Sequence, residues 1–178
     1  EHLGRLVRDD RRRGGRVHAL LGNHEAMNVR GELRYVSGDE YAAFVDRRSA
    51  ALRDRYYRAW LEALAAADPD RAAALPADHL QAWNEAHPLG WVEHRQAWDS
   101  RWNPDGELFR WAMGTAVAVR INDMLFVHGG ISARYCGYGL GSLTAMARDA
   151  LQAPGPDGAG ILADPAGPLW YRGLAGVE

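Results

Sequence analysis

The chain contains no lysine. All 21 of its basic residues are arginines, set against 23 acidic residues, for a formal net charge of −2 over 178 residues. That balance leaves no surplus of positive charge to hold nucleic acid or an anionic membrane surface. The arginine-only usage reads as compositional bias and lowers the weight of any single arginine as an anion ligand. Cysteine is nearly absent: Cys136 stands alone, which excludes an internal disulfide framework and any cysteine-based zinc cluster. No apolar run approaches the roughly 18 residues that a bilayer-spanning helix needs. Glu1 is not an initiator methionine, and no signal-peptide pattern follows it. The sequence therefore reads as a fragment or a processed chain, and it does not specify a compartment, whether cytoplasmic or periplasmic. What is present is 47% hydrophobic and 25% charged residues, the balance of a soluble globular protein long enough for one domain with a sizeable core.

Leu3, Leu6 and Val7 share one face and predict a helix over 1–13, ended by Gly14-Gly15. Arg16–Leu21 is short, apolar and bounded by glycines, the pattern of a buried strand. From Asp39 to Ala67, Tyr41, Phe44, Val45, Leu52, Tyr56, Trp60 and Leu64 recur at three- and four-residue steps. They predict one long helix, capped by Ser37 or Asp39 and broken by Pro69. Residues 70–112 are helical in pattern but interrupted by Pro76, Pro88 and Pro104. This stretch carries Trp83, Trp91, Trp98, Trp102 and Trp111, which are expected to form the core of a helical subdomain rather than a lid. Thr115–Ile121 alternates, Asn122-Asp123 turns, and Met124–Val127 is apolar, which together predict a β-hairpin. A helix over 142–152, a loop over 153–168 and a further ordered element from Pro168 to Arg172 complete the reading. No internal repeat is present. The organisation is one domain over 1–178 with a helical insertion at 29–112.

Two polar clusters each follow a predicted buried strand: Gly22-Asn23-His24-Glu25 and His128-Gly129-Gly130. The carboxyl ends of sheet strands are where α/β folds gather ligands, and glycine lets the backbone turn sharply there. Asparagine oxygen and imidazole nitrogen suit divalent first-row metals. A neutral amide ligand suits a hydrolytic site that must admit an anion. Asn23 and His24 are adjacent, so their side chains should diverge, one toward a metal and the other toward substrate as a proton donor.

The ordered pair of motifs resembles two signature blocks of the calcineurin-like metallophosphoesterases. The wider segments NHEAMN, LRYVS, AVRINDMLFVHGGIS and GPLWYRGLA resemble the Shewanella-like branch of the phosphoprotein phosphatases. The resemblance implies an α/β calcineurin-like metallophosphatase fold, a β-sandwich flanked by helices, incomplete here and carrying the helical insertion. It implies two divalent ions, manganese, iron or zinc, sharing a hydroxide that attacks phosphorus. By position, Asn23 and His128 resemble amide and imidazole ligands of the second metal. His24 resembles the general acid that protonates the leaving group, and the substrate is a phosphoprotein or a small phosphate ester. Glu25 reads as a supporting residue around the site or a helix cap, favoured in any case by the helix dipole. Arg172 reads either as a phosphate clamp or as a surface arginine.

The sequence departs from the family in three blocks. The Asp-x-His strand end, the Gly-Asp…Asp-Arg-Gly strand end and the histidine expected after Arg172 are absent. These residues therefore assemble at most one partial metal site, and the chain alone is expected to show little hydrolysis. His128 stands 104 positions after His24, consistent with a helical insertion between them. A non-catalytic binding module, or a pseudophosphatase with a remnant one-metal site, is the competing reading. An α/β-hydrolase using His128-Gly129-Gly130 as an oxyanion loop lacks the Gly-x-Ser-x-Gly elbow. Cys136 is not a phosphatase nucleophile, since the flanking residues fail the His-Cys-x5-Arg pattern. His87 and His94, seven apart, are not assigned a metal, and Asp99–Arg101 shows no recognisable chemistry. The glycine cluster at Gly137, Gly139 and Gly141 has the wrong spacing for a dinucleotide fingerprint.

Overall fold

The structure, a computed structural model, describes residues 16–153, 157–173 and 175. The helix expected over 1–13 lies outside them. The described elements run α1 (Asn23–Val29), α2 (Gly38–Ala42), α3 (Ser49–Ala67), α4 (Pro69–Ala73), α5 (His79–Ala86), α6 (Trp91–Trp98) and α7 (Glu107–Gly114). After these come β1 (Ala118–Ile121), β2 (Met124–Val127), α8 (Leu140–Gln152) and a 3-10 segment (Asp157–Leu162) kinked at Gly160.

The long helix expected from Asp39 to Ala67 is two helices. Ser37 caps the first, its Oγ accepting from Glu40 N at 3.2 Å. That helix ends at Ala42, and α3 starts at Ser49. The Ser49 hydroxyl accepts from Asp46 N at 2.9 Å and donates to Glu93 on α6 at 2.5 Å. Ser49 is 1% exposed, so a buried polar contact fixes the start of α3. Pro69 ends α3 as expected and also opens α4, at the first helical position where its missing N–H costs nothing. Asp68 caps α4 by accepting from Arg71 N at 3.0 Å.

The hairpin forms as the pattern predicts. Its register pairs Ala118 with Val127 and Ile121 with Met124, and Asn122 takes a left-handed φ of 52° in the turn, a conformation asparagine tolerates. Burial departs from expectation. Met124, Leu125 and Phe126 are 60%, 47% and 41% exposed, because no further strand packs on or beside β2 among the described residues. The Arg16–Leu21 strand reduces to one parallel bridge, Leu20 with Ala116, with Leu21 N donating to Ala116 O at 2.9 Å. Only Leu21 of that segment is buried. The described part is thus helix-rich α/β with one two-stranded sheet; no β-sandwich occurs within it.

The core joins Leu21 and α1 (Ala26, Val29) to α7 (Phe109, Ala112), Val117 and α8 (Leu143, Ala147, Leu151). Each fully buried leucine contributes about 1.5–3 kcal/mol relative to exposure. The stretch expected as a loop over 153–168 contains the 3-10 segment, whose Ile161 and Leu162 are buried in the same core. Leu169 in the expected tail element is fully buried, and Trp170 Nε1 donates to Leu162 O at 2.7 Å. These packed ends hold the two glycine-bearing motifs side by side.

Candidate active site

Gly22 is extended, with φ −101° and ψ 172°, and turns Leu21 directly into α1. A Cβ at this position would lie 2.5 Å from Glu25 Oε2 and 3.2 Å from the His128 ring. Glycine here therefore lets the end of β2 lie against the start of α1. Gly129 works the same way on the other side. Its N–H donates to Pro168 O at 2.8 Å, and a Cβ would lie 2.6 Å from Arg172 Nη1. The tail thus brings Arg172 beside His128.

His128 Nε2 lies 2.9 Å from Asn23 Oδ1, across 105 positions of chain. An amide oxygen only accepts, so in this pairing Nε2 carries the proton. Partial burial, then the charge of Arg172 and of His24, hold the His128 pKa below its ordinary value against the opposing pull of Glu25. A depressed pKa favours the neutral imidazole, the form that can ligate a metal.

His24 turns away from Asn23, as adjacent residues should. Its ring stacks on Tyr35 at 5.1 Å and 11°, and the Arg34 guanidinium lies 5.1 Å from the same Tyr35 ring. His24 lines a cleft of about 150 Å³ with Glu25, Glu32, Tyr35, Glu40 and Trp98. Glu25 stands in the first turn of α1, facing Gly22. Arg172 is exposed and donates to Leu169 O and Tyr171 O at 3.3 and 3.2 Å. Asn23, His24, Glu25, His128 and Arg172 therefore gather around the start of α1 and the end of β2.

Two further groups lie outside the site residues expected from the sequence. Tyr35 and Glu40 join the His24 cleft only through folding. Asp99, unremarkable in sequence, is fully buried and accepts from Arg95 Nη2 at 2.6 Å and from Arg101 Nη2 at 2.8 Å. Arg101 Nη2 also donates to Arg30 O at 2.7 Å, which anchors the far end of the helix carrying Asn23. A buried acid followed within two residues by arginine was the available hint. His94 is buried, with Nε2 at 3.4 Å from Glu40. His87 bonds Trp83 O at 2.9 Å through Nδ1.

Asn23 Oδ1 and His128 Nε2 meet in a hydrogen bond; with the imidazole proton on Nδ1 instead, the same two atoms are of the chemical types that fit part of a divalent-metal site. Among the described residues no group of three or more His, Cys, Asp or Glu is placed to hold an ion. The donors fit an ion only as a partial set.

No protein-family model matches the chain. It is 25% identical over 146 residues to Shewanella-like protein phosphatase 2 of Arabidopsis thaliana, covering 78% of this chain and 34% of that protein. The cold-active protein-tyrosine phosphatase of a psychrophilic Shewanella species aligns at 26% identity and TM-score 0.54, over 96% of this chain and 39% of that one. A cold-active protein tyrosine phosphatase solved at 1.1 Å aligns at 25% identity and TM-score 0.56, over 97% and 39%. The chain spans about a third of the curated relative and about two fifths of the solved chains. Over most of its length, this chain is similar to a Shewanella-like protein phosphatase in sequence and to the Shewanella cold-active phosphatase in α/β fold.

Proposed function

We propose that this chain supplies part of a metal-dependent phosphoester-hydrolysing centre acting on a phosphoprotein or a small phosphate ester. The observation that carries the reading is the 2.9 Å approach of Asn23 Oδ1 and His128 Nε2, with Arg172 close to His128 and His24 in the adjoining cleft. Asn23 and His128 would hold a divalent ion, manganese, iron or zinc. When bound, such an ion neutralises phosphoryl charge and activates water for attack. His24, set apart from the donor pair, holds the proton that the leaving oxygen needs. Arg172 adds a cation on the same side, matched to phosphate in charge. Glu25 favours a charged His128 and so opposes the effect of Arg172.

In the full-length protein, His24→Asn is expected to lower turnover at least about a hundredfold while leaving metal content intact. His128→Ala is expected to weaken metal occupancy first. Normal turnover in the His24 variant would remove its acid role.

The second reading is a non-catalytic module with a remnant one-metal site. It is favoured by the two-donor set and by the absence, among the described residues, of a wider ligand cluster. On either reading the 178-residue chain alone hydrolyses p-nitrophenyl phosphate with manganese little or not at all. Robust hydrolysis by this chain would overturn the partial-site assignment.

A further inference from the structure

A large open cavity in the described structure has a lining that shares no residue with the candidate site. It measures about 710 Å³, within the range of small-molecule sites. Helix α3 contributes Tyr56 and Trp60, α5 contributes His79 and Trp83, and α6 contributes Trp91 and Arg95. The rings brace one another in a continuous series. Trp60 tilts against Trp83 at 4.9 Å, Trp83 stacks on His87 at 3.8 Å, and His87 meets Trp91 edge-on at 4.4 Å. Trp91 meets Trp102 edge-on at 5.2 Å, and Trp102 stacks on Tyr56 at 5.0 Å. Each ring is held by its neighbours, so the wall is formed before any ligand arrives.

Charge at the wall has one sign. Its ionisable lining groups are Arg95, two histidines and Tyr56, with no carboxylate. The Arg95 guanidinium lies 4.5 Å from the centre of the Trp102 ring, occupying the kind of aromatic face on which a cationic ligand would sit. Arg95 and Arg101 share the single carboxylate of Asp99, which leaves one positive charge uncompensated within that cluster.

We propose that this cavity binds a small planar aromatic acid, of one or two fused rings. Its ring stacks on the tryptophan wall and its carboxylate meets Arg95. The assignment is independent of the phosphoester reading.

The test follows the indole Nε1–H signals of the seven tryptophans by NMR while 2-naphthoate, and separately 2-naphthylmethylamine, is titrated into the 178-residue chain. Saturable shifts at Trp60, Trp83, Trp91 and Trp102 are expected with the acid, while Trp98, Trp111 and Trp170 stay in place. The amine should bind at least tenfold more weakly. Trp83→Leu should weaken the acid at least tenfold, and Arg95→Gln, which removes the charge, should narrow the gap between acid and amine. Trp60 is only half-buried, so Trp60→Ala provides a second variant if Trp83→Leu fails to fold. No saturation at millimolar acid, equal affinity for the amine, or shifts centred on Trp98, Trp111 and Trp170 would each overturn the proposal.

Discussion

Asp99 is a buried acid held by two arginines, and its charge bears on the stability of the fold. Burial pushes its carboxyl pKa up, but hydrogen bonds from the side chain and backbone of Arg101, and the charge of Arg95, outweigh that and hold it below the ordinary value. A depressed folded-state pKa stabilises the fold above the unfolded carboxyl pKa, and that stability is lost as pH falls through the folded value. Asp99→Ala is expected to cost about 3–5 kcal/mol by stranding two arginines, measured by urea denaturation at neutral pH. The wild-type advantage over the variant should shrink steadily below about pH 4. An undiminished gap at pH 2 would show that the carboxylate charge is not what stabilises the fold. His94 titrates in a higher window. Burial lowers its pKa, with Glu40 opposing and Arg95 assisting. Its neutral form therefore supports the fold above about pH 6.5, and its contribution declines as pH drops below that value. His94→Gln should flatten the stability profile between about pH 5 and 7.

At the scale of elements, the junctions decide the site. Gly22→Ala adds a methyl against Glu25 and the His128 ring in backbone that alanine adopts freely. It should separate Asn23 from His128 with a modest stability loss of about 1 kcal/mol. A changed His128 side-chain resonance in an otherwise native NMR spectrum is the expected sign. Ser49→Ala removes one hydroxyl that serves both Asp46 N and Glu93, and should cost about 1–2 kcal/mol, read as a lowered unfolding midpoint. These junctions also mark where sequence reading stopped. The hairpin, the Ser37 cap and the Pro69 break were legible because each is set by neighbours within a few residues. The gap between α2 and α3 was not, since the apolar spacing of Phe44, Val45 and Leu52 runs across it. The partner that fixes the start of α3, Glu93, lies 44 positions from Ser49. In the site, Asn23, His24 and His128 stood out because their motifs follow apolar segments. Glu40 and Asp99 acquire meaning only from neighbours brought in by folding, and Tyr35, within the LRYVS segment, gains its place against His24 the same way. The tryptophans divide as well. Trp98 joins the main core with Leu21 and Val117 rather than a separate helical one, whereas Trp83, Trp91 and Trp102 line a cavity.

Across the whole molecule, the largest mismatch between composition and surroundings is the hairpin. Side chains alternate faces along a strand, yet Met124, Leu125 and Phe126 are all exposed, so both faces of β2 present apolar groups to solvent. Such a strand promotes edge-to-edge pairing and association. Sedimentation of the 178-residue chain should show concentration-dependent association, and Phe126→Glu should raise the monomer fraction. A wild-type monomer at all concentrations would remove this expectation. The separation of Asn23 from His128 in the chain has a further consequence. Neither partner has the other within reach until the hairpin, α1 and the tail have packed, so any cation they share binds the native ensemble far better than the denatured one. Added manganese should then raise the melting temperature in proportion to the logarithm of its concentration once binding saturates, turning a simple thermal scan into a readout of whether the two ends of that long span have met.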